Sequence, residues 1–208
     1  AYSASMERII AMAGLNVAQL LKVNNKRAVG QGGPYIPANN DDLPANRLKN
    51  SLATLHTHQM RLEALQDVVK KLPLTVPLDA YYVTSRFGKR RDPINRRWAA
   101  HYGIDLGSNF KSKVYTTAAG VVTYAGWKGR YGKLVEVNHG AGLKTRYGHL
   151  HKILVKKGQK VIFRQKIGLL GNTGRSTGAH LHYGIVFKGK SKNPMNFIKS
   201  GRYVFQEQ

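Results

Sequence analysis

The spacing of apolar residues divides the chain into a helical part and a part rich in β-strand. In the first part, apolar positions recur at alternating intervals of four and three residues, which is typical of a helix with one apolar face. This rhythm predicts one helix over residues 5–23 and a second over 46–72, with Leu65 slightly out of step. The apolar positions are Met6, Ile10, Ala13, Val17 and Leu20 in the first helix, and Leu48, Leu52, Leu55, Leu62, Val69 and Leu72 in the second.

The segment between these helices, NNKRAVGQGGPYIPANNDDLPAN, is rich in Gly, Pro and Asn, which excludes one continuous helix over residues 1–72. The two helices therefore pair with each other or with a second copy of the chain. The second arrangement would be a homodimer, in its extreme form a coiled coil, through the N-terminal helices.

The helical pattern ends at LPLTVPLD, residues 72–79, where Pro73 and Pro77 favour extended backbone at the residues before them. We interpret residues 73–79 as a linker. Beyond it, short runs of β-forming residues are separated by Gly or Asn turns, and hardly any run is periodic enough for a helix. The pattern predicts a mainly β fold: a compact antiparallel domain over 80–200, preceded by the helical segment and followed by a tail, 201–208.

Charge is concentrated in the β-rich part. Of the 34 Lys and Arg and 10 Asp and Glu residues, residues 1–71 hold 9 and 5, so residues 72–208 hold 25 and 5, a net charge of +20. This charge indicates an anionic partner: nucleic acid, a membrane surface or an acidic cell-wall polymer. No apolar run reaches membrane-spanning length and the first residue is Ala, so we expect any export signal or membrane anchor to lie upstream.

The same part holds six of the eight histidines and no cysteine, so a metal there would need His, Asp or Glu ligands. The segment HYGID places His101 and Asp105 four residues apart, on one side of the chain whether it is helical or extended. Two histidines and one aspartate would form a zinc site with an open fourth position, as in catalytic zinc centres. Two His-x-His pairs are available, and each pair shares one face of a strand. Spacing does not decide between them; they are His149 with His151, and His180 with His182.

Two further polar residues are predicted to lie outside such a site. His139 belongs to VNHGAG, which is typical of a hairpin turn. Glu136 alternates with Val135 and Val137, so we expect it to face solvent. No H-E-x-x-H motif is present, and no carboxylate is obviously placed as a general base, so that role passes to histidine.

Three ordered stretches closely resemble the lysostaphin/LytM-type zinc metallopeptidases, which cut peptide cross-links in peptidoglycan. The resemblance covers about residues 83–197 and includes the segments HYGID, RYGHL and TGAHLHYGI. It implies that His101, Asp105 and His182 bind Zn²⁺ and that His149 and His180 are the catalytic histidines. His151 lies outside the motif. All five motif positions are present, which argues against the regulatory relatives that lack several of them.

The resemblance also implies a mechanism and a location. A zinc-bound water would attack the scissile carbonyl, with His149 and His180 as proton acceptor and oxyanion stabiliser in either order. The anionic partner would be peptidoglycan rather than nucleic acid, since no basic helix, zinc finger or aromatic RNA motif is visible. The location would be the bacterial cell envelope, in the periplasm.

Two other functions compete with this interpretation. One is a non-catalytic wall-binding regulator that activates another peptidoglycan hydrolase. The other is a biotinyl- or lipoyl-like carrier domain, suggested by VKKGQKV and KIGLLG, in which the metal-site residues would have no purpose. Within the main hypothesis, residues 39–42 or the helices could lie across the cleft and restrain activity.

Overall fold

The structure is a computed structural model that describes residues 2–24, 44–91 and 97–206. The segment from Asn39 to Asp42, considered above as a cover for the cleft, lies outside the described residues. Four helices and thirteen strands are present in the described part of the chain. The helices are α1 (Tyr2–Met12), α2 (Val17–Asn24), α3 (Pro44–Lys71) and α4 (Pro194–Gln206).

The single helix predicted over 5–23 is wrong, because the structure has two helices there, α1 and α2. Gly14 adopts a positive φ of 75°, which ends the first helix, and the Asn16 side chain accepts a hydrogen bond from the Gln19 amide at 3.1 Å. An asparagine at this position satisfies a backbone donor in the first turn and so begins a new helix. The chain therefore turns between two short helices that pack on the second half of α3.

The two halves of α3 have different environments. Its second half is buried at Leu65 and Val68, in the same core as Ile10 and Leu20 of the first two helices. Its first half exposes large apolar side chains on a four-and-three spacing, with exposed fractions of 63% for Leu48 and 56% for Leu52. The helices thus pair with each other through only half of the apolar face that the sequence predicts.

Eight strands among the described residues form one antiparallel sheet, in the order β1-β4-β12-β8-β7-β6-β10 with β13 beside β12. A three-stranded sheet, β5-β11-β9, and the hairpin β2-β3 complete the β part. The strands are β1 (Tyr82–Ser85), β2 (Gly88–Arg91), β3 (Trp98–His101), β4 (Ile104–Gly107), β5 (Lys113–Tyr115), β6 (Gly120–Trp127), β7 (Lys133–Gly140), β8 (Leu143–Leu150), β9 (Lys152–Ile153), β10 (Lys160–Val161), β11 (Lys166–Leu169), β12 (His180–Phe187) and β13 (Lys190–Lys192).

The segment interpreted as a linker is part of the core. Leu72, Leu74 and Leu78 are buried, and the Pro77 carbonyl accepts a hydrogen bond from the Tyr115 amide at 2.9 Å. Helices and sheet share one hydrophobic cluster through these residues. The segment therefore joins the two parts rigidly rather than as a flexible connection.

The C-terminal residues were predicted as the end of the β domain and a tail, and this prediction is wrong. Residues from Pro194 onward form α4, which packs on α1 and buries Phe197 and Ile198. The Asn193 side chain accepts a hydrogen bond from the Met195 amide at 3.0 Å, and a proline in the first turn favours the helix. The Asn-Pro pair was the available sequence signal.

Glu136 faces away from Val135 and Val137 as expected, but the prediction that it faces solvent is wrong. Its side chain is 8% exposed and forms ion pairs with Arg146 at 2.9 Å and with Lys144 at 3.2 Å. Arg146 lies directly opposite on β8, so the second face of the sheet is covered by a charged pair.

Within the described residues, no helix has the length and apolar content to cross a lipid bilayer.

Candidate active site

Three neighbouring strands bring distant sequence segments to one end of the large sheet. Strand β12 lies between β4 and β8, and His182 is paired with Asp105 on one side and with Gly148 on the other. His101 ends β3, where it pairs with Gly88 of β2. The antiparallel register therefore collects HYGID, RYGHL and TGAHLHYGI within one site.

His101, Asp105 and His182 form a compact buried group. The Asp105 Oδ1 atom lies 3.0 Å from His101 Nε2 and 2.9 Å from His182 Nδ1, and these two nitrogens are 3.1 Å apart. All three residues are buried, and their ligand atoms lie within 4.8 Å of one another. The structure thus brings together the three residues that the resemblance assigns to zinc.

The hydrogen bonds of His101 test whether this group suits a cation. Its Nδ1 lies 2.8 Å from the Arg86 carbonyl oxygen, which can only accept, so Nδ1 carries the proton. In the neutral ring Nε2 then presents a lone pair toward Asp105 Oδ1. Two acceptor atoms at hydrogen-bond distance repel each other unless a cation or a proton lies between them. Two imidazoles and one carboxylate also match the usual ligand set of catalytic zinc.

The charge state of Asp105 is set by its neighbours. Burial raises the pKa of Asp105, but the close contacts with the His101 and His182 imidazoles outweigh burial and hold the pKa well below its ordinary value. Arg90 adds a longer contact, 3.4 Å from its Nη2 to Asp105 Oδ2. The carboxylate is therefore ionised at neutral pH, as a metal ligand must be.

His149 lies at a bulge near the end of β8. Between β7 and β8 the pairs Lys133 with Leu150 and Val135 with Tyr147 leave an extra residue on β8, and His149 has a φ of 60°. A bulge redirects the side chain, and a positive φ on a non-glycine residue is a conformation that the surrounding structure must enforce. His149 Nδ1 donates to the Thr173 carbonyl at 2.7 Å, which leaves Nε2 for the cleft. Burial lowers the pKa of His149 to about 4.

The His180 ring lies next to the His149 ring, with ring centroids 4.7 Å apart. Its Nδ1 donates to the Gly178 carbonyl at 2.9 Å and lies 3.1 Å from the Ser176 hydroxyl. Its Nε2 lies 3.8 Å from Asp105 Oδ1. Both histidines thus donate from Nδ1 to a backbone carbonyl, and both side chains line the same cleft.

The other two histidines of the β part do not join this group. His151 follows the end of β8, and its ring packs against Phe110 with centroids 4.9 Å apart. The bulge separates it from His149, although a regular strand would place both on one face. His139 is buried, with Nδ1 donating to the Ala119 carbonyl at 2.8 Å and Nε2 near the Thr145 hydroxyl. Its role is to hold neighbouring backbone.

The site opens into a cleft of about 640 Å³. The motif residues form its floor, and its walls include residues that the sequence analysis did not single out. Tyr131 contacts the His182 ring, with centroids 5.3 Å apart. The short segments RFGKR and GRYG carried no recognisable chemistry by spacing alone. The added wall residues include Tyr82, Arg90, Tyr131 and Arg175.

The glycine-rich segment before His180 serves the protein's own backbone. A Cβ on Gly174 would lie 2.3 Å from the Gly132 nitrogen, and one on Gly132 would lie 2.4 Å from the Thr173 carbonyl carbon. Both glycines have positive φ, 76° and 62°. Within GNTGRSTG, Gly174 therefore permits a close approach between two loops that line the cleft.

Comparison with known proteins places this cleft in a family. Residues 99–194 match the family described as peptidase family M23. The peptidoglycan DD-endopeptidase ShyA of Vibrio cholerae is 41% identical over 152 residues, which are 72% of this chain and 35% of that protein. A zinc-containing peptidase from Vibrio cholerae superposes with a TM-score of 0.54 at 41% identity, over 57% of this chain and 38% of that one.

The catalytic domain of lysostaphin from Staphylococcus simulans superposes with a TM-score of 0.53 at 31% identity, over 57% of this chain and 92% of that domain. The chain therefore belongs to peptidase family M23, a family of metallopeptidases. It spans about a third of the length of the DD-endopeptidase it matches.

Proposed function

We propose that the protein is a zinc-dependent endopeptidase that hydrolyses the peptide cross-links of bacterial peptidoglycan. The observation that carries this proposal is the arrangement of five side chains in one cleft. Three of them offer ligand atoms within 4.8 Å of one another, and the other two line the same cleft with Nδ1 held on a backbone carbonyl.

His101, Asp105 and His182 would hold the metal. When bound, Zn²⁺ would supply Lewis-acid polarisation of the scissile carbonyl and a lowered pKa for water in the cleft. The Arg86 carbonyl orients the His101 ring by accepting from its Nδ1, and such hydrogen bonds hold a ligand in the correct tautomer.

His149 and His180 would manage protons and developing charge. Each is fixed by a hydrogen bond from Nδ1 to a backbone carbonyl, so each can accept a proton at Nε2 without reorienting. Once protonated, either ring can donate to the departing amine or stabilise the oxyanion. Because the rings are only 4.7 Å apart, one proton on the pair disfavours a second, which suits one base and one donor.

The substrate is inferred from relatives and charge. The Vibrio cholerae relative is named a peptidoglycan DD-endopeptidase, which favours D-alanyl to diaminopimelate cross-links. A net charge of +20 over residues 72–208 would hold the enzyme on an anionic sacculus, more weakly at high salt. The corresponding location is the bacterial cell envelope, in the periplasm.

The decisive experiment is mass spectrometry of muropeptides released from purified sacculi by the full chain, with and without a chelator. We expect cross-linked dimers to disappear, about one zinc per chain, and no cleavage after chelation. His149→Ala is expected to lower the cleavage rate by about 10² to 10⁴-fold while zinc content stays unchanged. His151→Ala is the matched control and should cleave normally. Normal cleavage by His149→Ala would contradict the assignment.

The alternative is a wall-binding regulator that activates another hydrolase. It predicts that zinc-loaded protein leaves sacculi intact but stimulates a separate amidase added to the same reaction. The complete set of five motif residues in one cleft favours the enzyme.

We also propose that the exposed half of α3 associates with a second copy of the chain. Leu48, Leu52 and Leu55 lie on one face with 63%, 56% and 63% exposure, the spacing of a helix-helix seam. Replacing all three with serine should convert a dimer to a monomer in sedimentation equilibrium, whereas Met60→Ser should not. A monomeric unmodified chain would contradict this proposal.

The described helices do not cover the cleft. Its lining residues all belong to the β part, and Lys188 at the far end of β12 contacts the Gln19 carbonyl at 3.2 Å. Of the two candidate restraints, the helices and residues 39–42, we therefore retain residues 39–42 as the proposal. Deleting residues 30–42 should raise activity on sacculi if that segment restrains it, and leave activity unchanged if it does not.

A further inference from the structure

A tight turn between β10 and β11 presents two apolar side chains to solvent. Ile162 is 72% exposed and Phe163 is 50% exposed. They are adjacent in sequence, and no part of the proposed hydrolysis uses them. Exposed apolar pairs of this kind are unfavourable in water, so they point to a partner that covers them.

The turn is held in one conformation. The Gln165 amide donates to the Ile162 carbonyl at 3.2 Å, and the Ile162 amide donates to the Gln165 side chain at 3.0 Å. Arg164 has a φ of 59°, which a non-glycine residue adopts only when its surroundings enforce it.

The Arg164 side chain supplies that enforcement. Its guanidinium donates to the Val76 carbonyl at 3.2 Å, pairs with the Asp79 carboxylate and stacks over the Tyr115 ring at 4.3 Å. The Arg164 side chain is thus held against the protein, whereas Ile162 and Phe163 are exposed to solvent. Their exposure is a property of the folded turn.

Lysines precede and follow the turn in the sequence. Lys160 and Lys166 flank it, Lys156 and Lys157 form the preceding turn, and all four are exposed. The sequence contains no Asp or Glu between Glu136 and Glu207. An apolar tip with exposed lysines before and after it in sequence matches an anionic lipid surface, where apolar side chains enter the interface and lysines meet phosphates.

The strand register places this tip far from the cleft. Lys160 pairs with Val121, Val121 with Asn138, Asn138 with Lys144, and Lys144 with Val186, which makes one row across the sheet. His182 lies four residues away from that row along β12, about 13 Å at the usual rise per residue. The tip and the cleft are therefore at opposite ends of the sheet.

We propose that the protein docks on an anionic membrane surface through Ile162 and Phe163, with the four lysines on lipid phosphates and the cleft directed away from the bilayer. A lipid surface suits both side chains of the tip, because each can enter an apolar interface, whereas only Phe163 has an aromatic face for a sugar and the more exposed Ile162 has none. The proposal does not depend on the proposed hydrolysis. It would fix the cleft at a set height above the membrane, facing the wall.

The test is co-sedimentation of the full chain with vesicles of phosphatidylcholine alone and with vesicles containing equal parts of phosphatidylcholine and phosphatidylglycerol. Binding is expected only to the anionic vesicles. The double variant Ile162→Ser/Phe163→Ser should lower the partition coefficient by about tenfold or more. The control, Met60→Ser, replaces a comparably exposed apolar side chain on α3 outside the proposed dimer face and should bind normally. Lys160→Gln/Lys166→Gln should weaken binding and its salt dependence.

A spectroscopic variant separates insertion from simple charge attraction. Phe163→Trp should shift its emission to shorter wavelength on the anionic vesicles and not on the neutral ones. An unshifted emission together with normal binding by the double serine variant would overturn the proposal. So would loss of sacculus binding, rather than vesicle binding, in that variant. Unfolding midpoint and muropeptide cleavage should be unchanged in the serine variant, which excludes misfolding as the cause.

Discussion

Asp105 and Glu136 are both buried carboxylates in the same sheet, and their surroundings differ in kind. Glu136 is neutralised by Arg146 and Lys144 and receives a hydrogen bond from Thr123 at 3.0 Å. Asp105 is surrounded mainly by imidazoles, one of which presents a lone pair to it. The cations around Glu136 neutralise it, whereas Asp105 Oδ1 and the lone pair of His101 Nε2 need a cation or a proton between them. Burial of an acid alone therefore does not distinguish a structural site from a catalytic one; the charge of its partners does.

The largest expected difference between the two carboxylates is in catalysis. Asp105→Asn should abolish muropeptide release and zinc retention, because an amide is a much poorer zinc ligand. Glu136→Gln should cleave at the wild-type rate under conditions where it is folded. The measurement is muropeptide release with metal analysis of both variants. Equal loss of activity in the two would remove the distinction.

The second largest expected difference between the two carboxylates is in the response of protein stability to metal removal. Ligand bound only by the folded state stabilises it, by about 3 to 4 kcal/mol when free zinc is a few hundred times its dissociation constant. Chelation should therefore lower the thermal unfolding midpoint of the wild type and of Glu136→Gln. Asp105→Asn should show no response to the chelator, and a response of wild-type size there would place the metal elsewhere.

A smaller effect is expected from the Glu136 ion pairs. Glu136→Gln should lower the free energy of unfolding by about 1 to 2 kcal/mol, because hydrogen bonds to charged groups contribute on that scale. The loss is limited because Lys144 and Arg146 are 42% and 28% exposed and can regain water. Urea titration of the chelated proteins measures it. A variant as stable as the wild type would show that the pair is energetically neutral.

The smallest effect is the pH dependence of that difference. Burial raises the pKa of Glu136, but hydrogen bonds from Arg146, Thr123 and Lys144 outweigh it and hold the pKa below the ordinary 4.5. A lowered pKa in the folded state means stabilisation that is present above pH 4.5 and lost as pH falls through the folded value. The gap between wild type and Glu136→Gln should therefore narrow below about pH 4.5. A gap independent of pH would indicate that charge is not its source.

Much of the site follows from the sequence, and the missing parts have physical reasons. The rule that residues two apart share a strand face correctly places His180 and His182 on one cleft wall. The same rule fails for His149 and His151, because the bulge in β8 depends on pairing with β7 and leaves no periodic signal. The metal and catalytic roles themselves remain predictions.

The errors in the predicted fold share one cause, which is that the decisive features involve only one or two residues each. The break between α1 and α2 depends on Gly14 and Asn16, which interrupt an apolar rhythm that otherwise continues. Helix α4 was missed because it is short and contains Gly201, a residue that disfavours the interior of a helix. The burial of Glu136 depends on Arg146 from the next strand, and cross-strand neighbours cannot be read from one strand alone.

Strand β12 has a consequence in mechanical terms. It begins at His180 in the cleft and continues through β13 into α4, which packs on α1, while Lys188 and Lys192 contact the carbonyls of Gln19 and Gly14. β12 pairs with β4 on one side and β8 on the other. If peptidoglycan bound in the cleft were pulled away from the N-terminal helices, the force would run along β12. Many of the hydrogen bonds of β12 would then share the load. The cleft end of the sheet would then bear tension without being displaced from the cross-link that we propose it binds.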